Sequence, residues 1–338
     1  MRLDVAPFTL RLREPLRAAW GILAERELLR ISLVADDGLV GLGEAAPLEP
    51  YDGVPLAAVR AALDAYARVA GEHAEQELLA ACAAERDLPQ ALAAVDLALW
   101  DLAGKRAGRS VAELISVEAA RSIPVNATLG AEDRAGAAAA AAAAARAEFD
   151  TIKVKVGVGD DAGRLAAVRA AVGPRVAIRV DANGAWDVDE AVASLRALAP
   201  AGIELAEEPV HGVEALRAVR AEVDVPLAMD ETAAQDGAAG SGATDAVCLK
   251  IARCGGITGV LRDAAAARIA GSVVYLASTY DGPLGIAAAV HAAAGLTAGG
   301  PLPAHGLATL AAFAEPGERL HAVRGAIRVP SEPGLGVA

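Results

Sequence analysis

Charge recurs at the ends of five apolar segments, always as residue types that bind metals or move protons. Lys153 and Lys155 close TIKVKVG, Asp181 and Asn183 close VAIRVDANG, and Glu207 and Glu208 close GIELAEEP. Asp230 and Glu231 close VPLAMDE, and Lys250 ends DAVCLK. Side chains alternate faces along a strand, so Lys153 and Lys155 share one face while Ile152, Val154 and Val156 share the other. The same alternation groups Arg179 with Asp181 and Asn183, and Ala246 with Cys248 and Lys250. A charge turned to the inside of a protein is costly unless it is paired or bound to a metal. A structural ion-pair network is one reading of these residues. The other is a site for a hard divalent cation, with three carboxylates from adjacent strands as oxygen ligands and open positions for substrate and water. Five consecutive segments ending in this way favour the second. A lysine near a metal in a dry pocket has a lowered pKa, which lets its neutral amine act as a base.

Positioning these residues requires a repeated element. From about residue 120, short apolar strands alternate with alanine-rich helical stretches: IPVNATLG, TIKVKVG, VAIRVDANG, GIELAEEP, VPLAMDE, DAVCLKIA and SVVYLAS. Seven such alternations and an irregular eighth near 302–310 predict a TIM-type (β/α)7β barrel, whose chemistry sits at the C-terminal strand ends. The first hundred residues differ. LLRISLVA and LVGLGE flank the turn Asp36-Asp37-Gly38, and two helical stretches follow, the second ending near Gly104 and Gly108. This predicts an α+β capping domain over 1–118, completed by about 315–338, with the barrel and its site over 119–314.

Composition narrows the partners. The 338 residues carry a formal net charge of −13, with 54% hydrophobic and 22% charged residues, a globular balance whose negative field disfavours nucleic acid and anionic membranes. Cys82, Cys248 and Cys254 give no paired framework, which suits a reducing compartment. The N-terminal stretch is interrupted by charges throughout, and the alanine run 137–145 is too short to span a bilayer. A cytoplasmic protein acting on a small molecule is expected, with neither nucleic acid nor membrane as partner.

The motifs KVK at 153–155, DANGAW at 181–186, EEP at 207–209, DE at 230–231 and KIARCGGIT at 250–258 together resemble the enolase superfamily, in its muconate-lactonizing subgroup. The likeness runs over nearly the whole chain. It implies Mg²⁺, with Mn²⁺ as an alternative, on Asp181, Glu207 and Asp230, with Asn183 and Glu231 behind them. It implies Lys155 as base on one face of a carboxylate substrate, Lys153 as its positive neighbour, and Lys250 on the opposite face. Dimers or larger rings are common in the family, so a homo-oligomer is an expectation.

Within the subgroup the reactions include o-succinylbenzoate synthesis, N-acylamino-acid racemization, dipeptide epimerization and muconate cycloisomerization. Dipeptide epimerases usually carry an Asp-x-Asp pair at strand eight, and 301–310 here reads PLPAHGLATL. Gly306, Leu307 and Thr309 instead resemble the G-L-x-T segment of o-succinylbenzoate synthases, whose amides would take a carboxylate. Ser278 and Thr279 follow strand seven as substrate hydroxyls, and Asp281 is read as the cap of the next helix. Trp20 in RAAWG and Tyr51 in PLEPYDG stand on two loops that would close over substrate. His291 reads as structural, and His305 is left open between structure and substrate contact. A dehydration of the o-succinylbenzoate synthase type is the leading expectation, N-succinylamino-acid racemization the main alternative. A catalytically idle barrel would lack a ligand or a base, and none is missing.

Overall fold

The computed structural model describes residues 1–18, 21–130, 132–297, 303–315, 317 and 319–337. An antiparallel sheet opens the chain: β1 (Arg2–Ala18), β2 (Gly21–Val34) and β3 (Val40–Ala45) pair in that order. Sequence reading identified β3 and the second half of β2. It missed β1, although Leu3, Val5, Phe8, Leu10 and Leu12 turn inward between exposed neighbours. Helices Leu56–Glu72, Glu75–Glu85 and Pro89–Ala107 cover one face of this sheet. Leu29, Ile31, Leu33, Leu63, Tyr66, Leu78 and Val95 bury there as a separate core.

The chain then runs through β4 (Ser122–Pro124) into β5 (Ala127–Leu129), β6 (Thr151–Lys155), β7 (Ala177–Asp181), β8 (Ile203–Glu207), β9 (Leu227–Met229), β10 (Ala246–Leu249) and β11 (Val273–Leu276). Strands β5 to β11 form one parallel sheet in sequential order. Helices follow most strands, with Ile152, Val154, Ile178, Val180, Leu227 and Leu276 packed outward against them. After β9 there are only two 3₁₀ turns, Glu231–Ala234 and Ala238–Gly240, where the alternation predicted a helix. Gly237, Gly240 and Gly242 in that short segment weaken helix formation by about 1 kcal/mol each.

The sheet closes into a barrel through two residues. His305 bridges Val125 and Gly306 bridges Ala277, both in parallel sense. The N–H of Gly306 donates to Leu276 O at 2.8 Å. Ala304 O, the acceptor a regular strand would offer to the next N–H, is taken by Arg179 Nη1 at 2.7 Å. The His305 ring fills that gap: its Nδ1 accepts the Leu276 N–H at 3.0 Å. His305 therefore helps to complete the barrel wall through one ring nitrogen.

The end of the chain serves both parts. Strands β12 (Ala322–Val323) and β13 (Ala326–Arg328) pair with β4. Beyond them, Gly334 exchanges backbone bonds with Arg109 and Val111, and the Leu335 N–H donates to Asp101 Oδ1 at 2.8 Å. His291 sits at this junction. Its Nδ1 accepts the Ala112 N–H at 3.1 Å, and its Nε2 meets Leu335 O at 3.1 Å, the structural role expected of it.

Burial pushes His291 down to about 4, and His305 down to about 3 with Arg179 adding to the effect. The unfolded chain takes up these protons near pH 6.5 and the folded protein does not. Their contribution is therefore complete above pH 6.5 and is lost as pH falls toward 4, on the order of 3 kcal/mol for His291. Urea midpoints measured from pH 7 to 4 should fall steeply for the wild type and less for His291→Gln, which keeps an acceptor and a donor but does not titrate. Equal slopes would refute this role.

Candidate active site

Pleating turns Lys153 and Lys155, Arg179 and Asp181, Leu205 and Glu207, and Cys248 and Lys250 to the barrel interior. Leu205, Ala228, Ala246, Cys248, Tyr275 and Ala277 pack as the lower interior layer. Above it the charged groups converge. Lys153 Nζ lies 2.7 Å from both Asp181 Oδ2 and Glu207 Oε1. Lys155 Nζ lies 2.6 Å from Asp181 Oδ2 and 2.6 Å from Asn183 Oδ1. Lys250 pairs with Asp230 Oδ1. The carboxylate oxygens of Glu207 and Asp230 lie, with Cys248 Sγ, within 4.8 Å of one another. Lys153 thus stands between Asp181 and Glu207, while Glu207 and Asp230 meet beside Cys248.

This burial would be prohibitive for single charges, and the groups hold one another's ionisation. Burial works against the charge on Lys153, but Asp181, Glu207 and Asp230 outweigh it and raise its pKa well above normal. Lys250 is raised in the same way, against its own burial, chiefly by Asp230. Burial also opposes the charge of Asp181, yet Lys153 and Lys155 keep it below the usual carboxylate range. For Glu207 burial prevails, and its pKa is raised. The three amines differ in access: the Lys155 side chain is 32% exposed, against 13% for Lys153 and 6% for Lys250.

Other side chains brace the acids. Tyr275 donates to Glu207 Oε2 at 2.8 Å. Asn183, at φ 47°, receives Lys155 and donates to Glu231 Oε1 at 2.9 Å. Glu208 accepts the backbone N–H groups of Asp230 and Thr232 at 2.6 and 3.0 Å, which fixes the turn carrying Asp230. Sequence reading did not single out Tyr275, although period-two alternation from Val273 places it inward. It quoted Glu208 without a role, since its job depends on backbone from the next strand. Glu208, His211 and Glu231 form a second convergent group, but Glu208 is already committed to those N–H groups.

From the capping domain, Tyr51 reaches the site as expected. Its hydroxyl donates to Asp230 Oδ2 at 3.2 Å, and its ring lies 5.2 Å from both Lys250 Nζ and Arg253 Cζ. Trp20 lies outside the described residues. Ser278 Oγ and Thr309 Oγ1 stand 2.6 Å apart, joining the loops after strands seven and eight. Thr279 is buried and donates from its hydroxyl to Asp281 Oδ1 at 3.1 Å. Leu307 buries its side chain in the core. Two expectations are corrected. The Gly306 N–H is spent on closing the barrel and is not free for an anion. Asp281 does not cap the next helix, which has no side-chain cap of its own, because its carboxylate turns back to Thr279. A cavity of about 790 Å³ opens onto Asp230, Lys250 and Arg253 and runs out between Leu92 and Gly259, room for a small molecule. Among the described residues no helix is long and apolar enough to cross a membrane.

Two family models match: residues 3–116 fit the mandelate racemase/muconate lactonizing enzyme N-terminal domain, and residues 136–338 the enolase C-terminal domain-like model. A hydrophobic dipeptide epimerase of Enterococcus faecalis is 30% identical over 303 residues, covering 84% of each chain. An o-succinylbenzoate synthase of Thermobifida fusca is 40% identical over 196 residues, covering 56% of this chain and 60% of that protein. The crystal structure of a dipeptide epimerase from E. faecalis, complexed with Mg and the dipeptide L-Leu-L-Tyr, superposes with a TM-score of 0.91 at 27% identity, over 99% of this chain and 98% of that one. With an antiparallel cap, a barrel of parallel strands and both family models in register, the chain belongs to the enolase superfamily, in its mandelate racemase and muconate lactonizing branch.

Proposed function

We propose that this protein removes a proton α to a substrate carboxylate with Lys155 as base, and that the reaction is the dehydration that forms o-succinylbenzoate. The observation that carries the first part is the unequal access of the three amines. Lys155 is the most exposed of the three, while Lys153 and Lys250 are more deeply buried. Asn183, itself held by Glu231, fixes the direction of that amine.

Asp181, Glu207 and Asp230 fit a hard divalent cation such as Mg²⁺: all are buried carboxylates, and ammonium groups now occupy the oxygens such an ion would take. When bound, the ion would supply positive charge for the second negative charge that a substrate carboxylate gains on losing its α-proton. Lys155, in its neutral form, takes the proton from carbon. The C–H electron pair moves into the carboxylate system and returns to expel hydroxide from the neighbouring carbon. The Lys155 ammonium protonates that leaving group, so water departs from the face that lost the proton. Lys153 stays charged between Asp181 and Glu207 and keeps their geometry.

The choice of dehydration is supported by the chemistry of the eighth-strand mouth. Its polar group there is a hydroxyl pair, Ser278 with Thr309, and no acid stands among described residues 303–313 to neutralise a substrate ammonium. A second reading, racemization of N-succinylamino acids, is favoured by one specific feature. Lys155 on β6 and Lys250 beyond β10 stand on opposite walls, with β7, β8 and β9 between them. Two opposed amines are what inversion of a carbon centre requires.

The tests separate these readings. Lys155→Ala should lose about a thousandfold in turnover, measured as α-proton exchange in D₂O; retained exchange would reject Lys155 as base. Lys250→Ala should keep dehydration within about tenfold while losing any racemization; loss of dehydration to the Lys155→Ala level would reject the one-base elimination. Mg²⁺ at a hundred times its dissociation constant should stabilise the wild type by about 2.7 kcal/mol, seen as a raised melting temperature. Glu207→Gln should not respond, and an equal response would exclude the acid trio as the cation site.

A further inference from the structure

The capping domain reaches into the first turns of two barrel helices. Ile257–Ile269 and Pro283–Leu296 begin after Gly256 and Gly282, and neither has a side-chain cap from its own segment. Asp96 in helix Pro89–Ala107 accepts the Thr258 N–H at 3.1 Å. Glu44 at the end of β3 accepts the Gly282 N–H at 2.7 Å. A Cβ on Gly256 would stand 2.3 Å from Asp96 Oδ2, and one on Gly282 would stand 2.4 Å from Glu44 Oε2. Both glycines mark the entry of a carboxylate from the other domain.

The two caps differ in what surrounds them. Asp96 touches its helix and little else that bears on the site. Glu44 belongs to a buried group with Arg26 and Asp281. Arg26 donates to Ala46 O at 3.1 Å and Pro47 O at 2.8 Å, where the Tyr51 loop begins, and its Nε donates to Tyr280 O at 3.2 Å. One guanidinium therefore holds the loop that brings Tyr51 to Asp230 and the turn that carries Ser278 and Thr279. Tyr280 takes φ 60° in that turn, a conformation that costs a non-glycine residue and persists only when its surroundings impose it. Glu44 Oε2 is buried without a partner, and burial beside Asp281 pushes its carboxyl up to about 7. A serine or aspartate at position 282 would cap the helix without carrying an acid across the domain boundary. Helix stability alone does not explain Glu44.

We infer that Arg26 and Glu44 are positioning residues, which tie the turn 278–282 to the Tyr51 loop so that seating of the cap sets the strand-seven wall of the substrate pocket. This rests on the function proposed above, and its test has one arm that does not. In amide hydrogen exchange, Glu44→Ala should speed exchange in both 46–53 and 278–286, whereas Asp96→Ala should act only around 256–262. In kinetics, Glu44→Ala should raise KM about tenfold with kcat within twofold, the loss of one hydrogen bond to a charged group. Glu44→Gln, which keeps the acceptor for Gly282, should restore KM to within twofold, and Asp96→Ala should leave KM unchanged while lowering the melting temperature. If Glu44→Ala does not fold, Arg26→Lys carries the test, since it keeps the charge and loses the fork that spans both loops; the same KM rise is expected. Faster exchange confined to 282–286, or equal KM effects from Glu44→Ala and Asp96→Ala, would overturn the inference. Absence of α-proton exchange by the wild type would count against the proposed function and leave the clamp to be decided by amide exchange.

Discussion

Three ammonium groups and three carboxylates share the mouth of one barrel, and burial makes each dependent on the others. Removing one partner from such a set leaves an uncompensated charge, at a cost of about 3–5 kcal/mol. A closed sheet is what makes the arrangement possible. Strands β6 to β10 each present one or two charged side chains inward near their C-terminal ends, and the lower layer of Leu205, Ala246 and Tyr275 closes the space beneath them. The helices outside bury the alternate residues and so fix which face of every strand is the inner one.

Much of this was legible because a period of two and a charge at a strand end are both visible in one sequence. Lys153, Lys155, Asp181 and Lys250 could be placed on the inner face from alternation, whereas the choice of Glu207 over Glu208 and of Asp230 over Glu231 came from the family resemblance. The braces behind them were legible in neither way. Glu208 acts through the backbone of Asp230 and Thr232, and Asp96 and Glu44 act through helices far along the chain. Such long-range caps leave no local pattern, because the helix start shows only a glycine. Asp281 illustrates the error this produces: it stands where a local cap would stand, yet it bonds Thr279, and Glu44 takes the helix instead.

The eighth strand shows a second limit. Its shortness was readable near 302–310, but its repair was not. Arg179 occupies the carbonyl of Ala304, and the His305 ring supplies the acceptor that the strand lost. A histidine near a catalytic mouth reads as chemistry. Here its Nδ1 is used in closing the sheet, and the same closure takes the Gly306 amide that sequence reading had offered to an anion.

The central physical claim is that Asp181, Glu207 and Asp230 hold one divalent cation between opposed amines. Crystals grown with Mn²⁺ and measured at the manganese absorption edge test it directly. The expected result is a single strong anomalous peak bounded by those three carboxylates. A peak at Glu208, His211 and Glu231 instead, or none within reach of the trio, would contradict it.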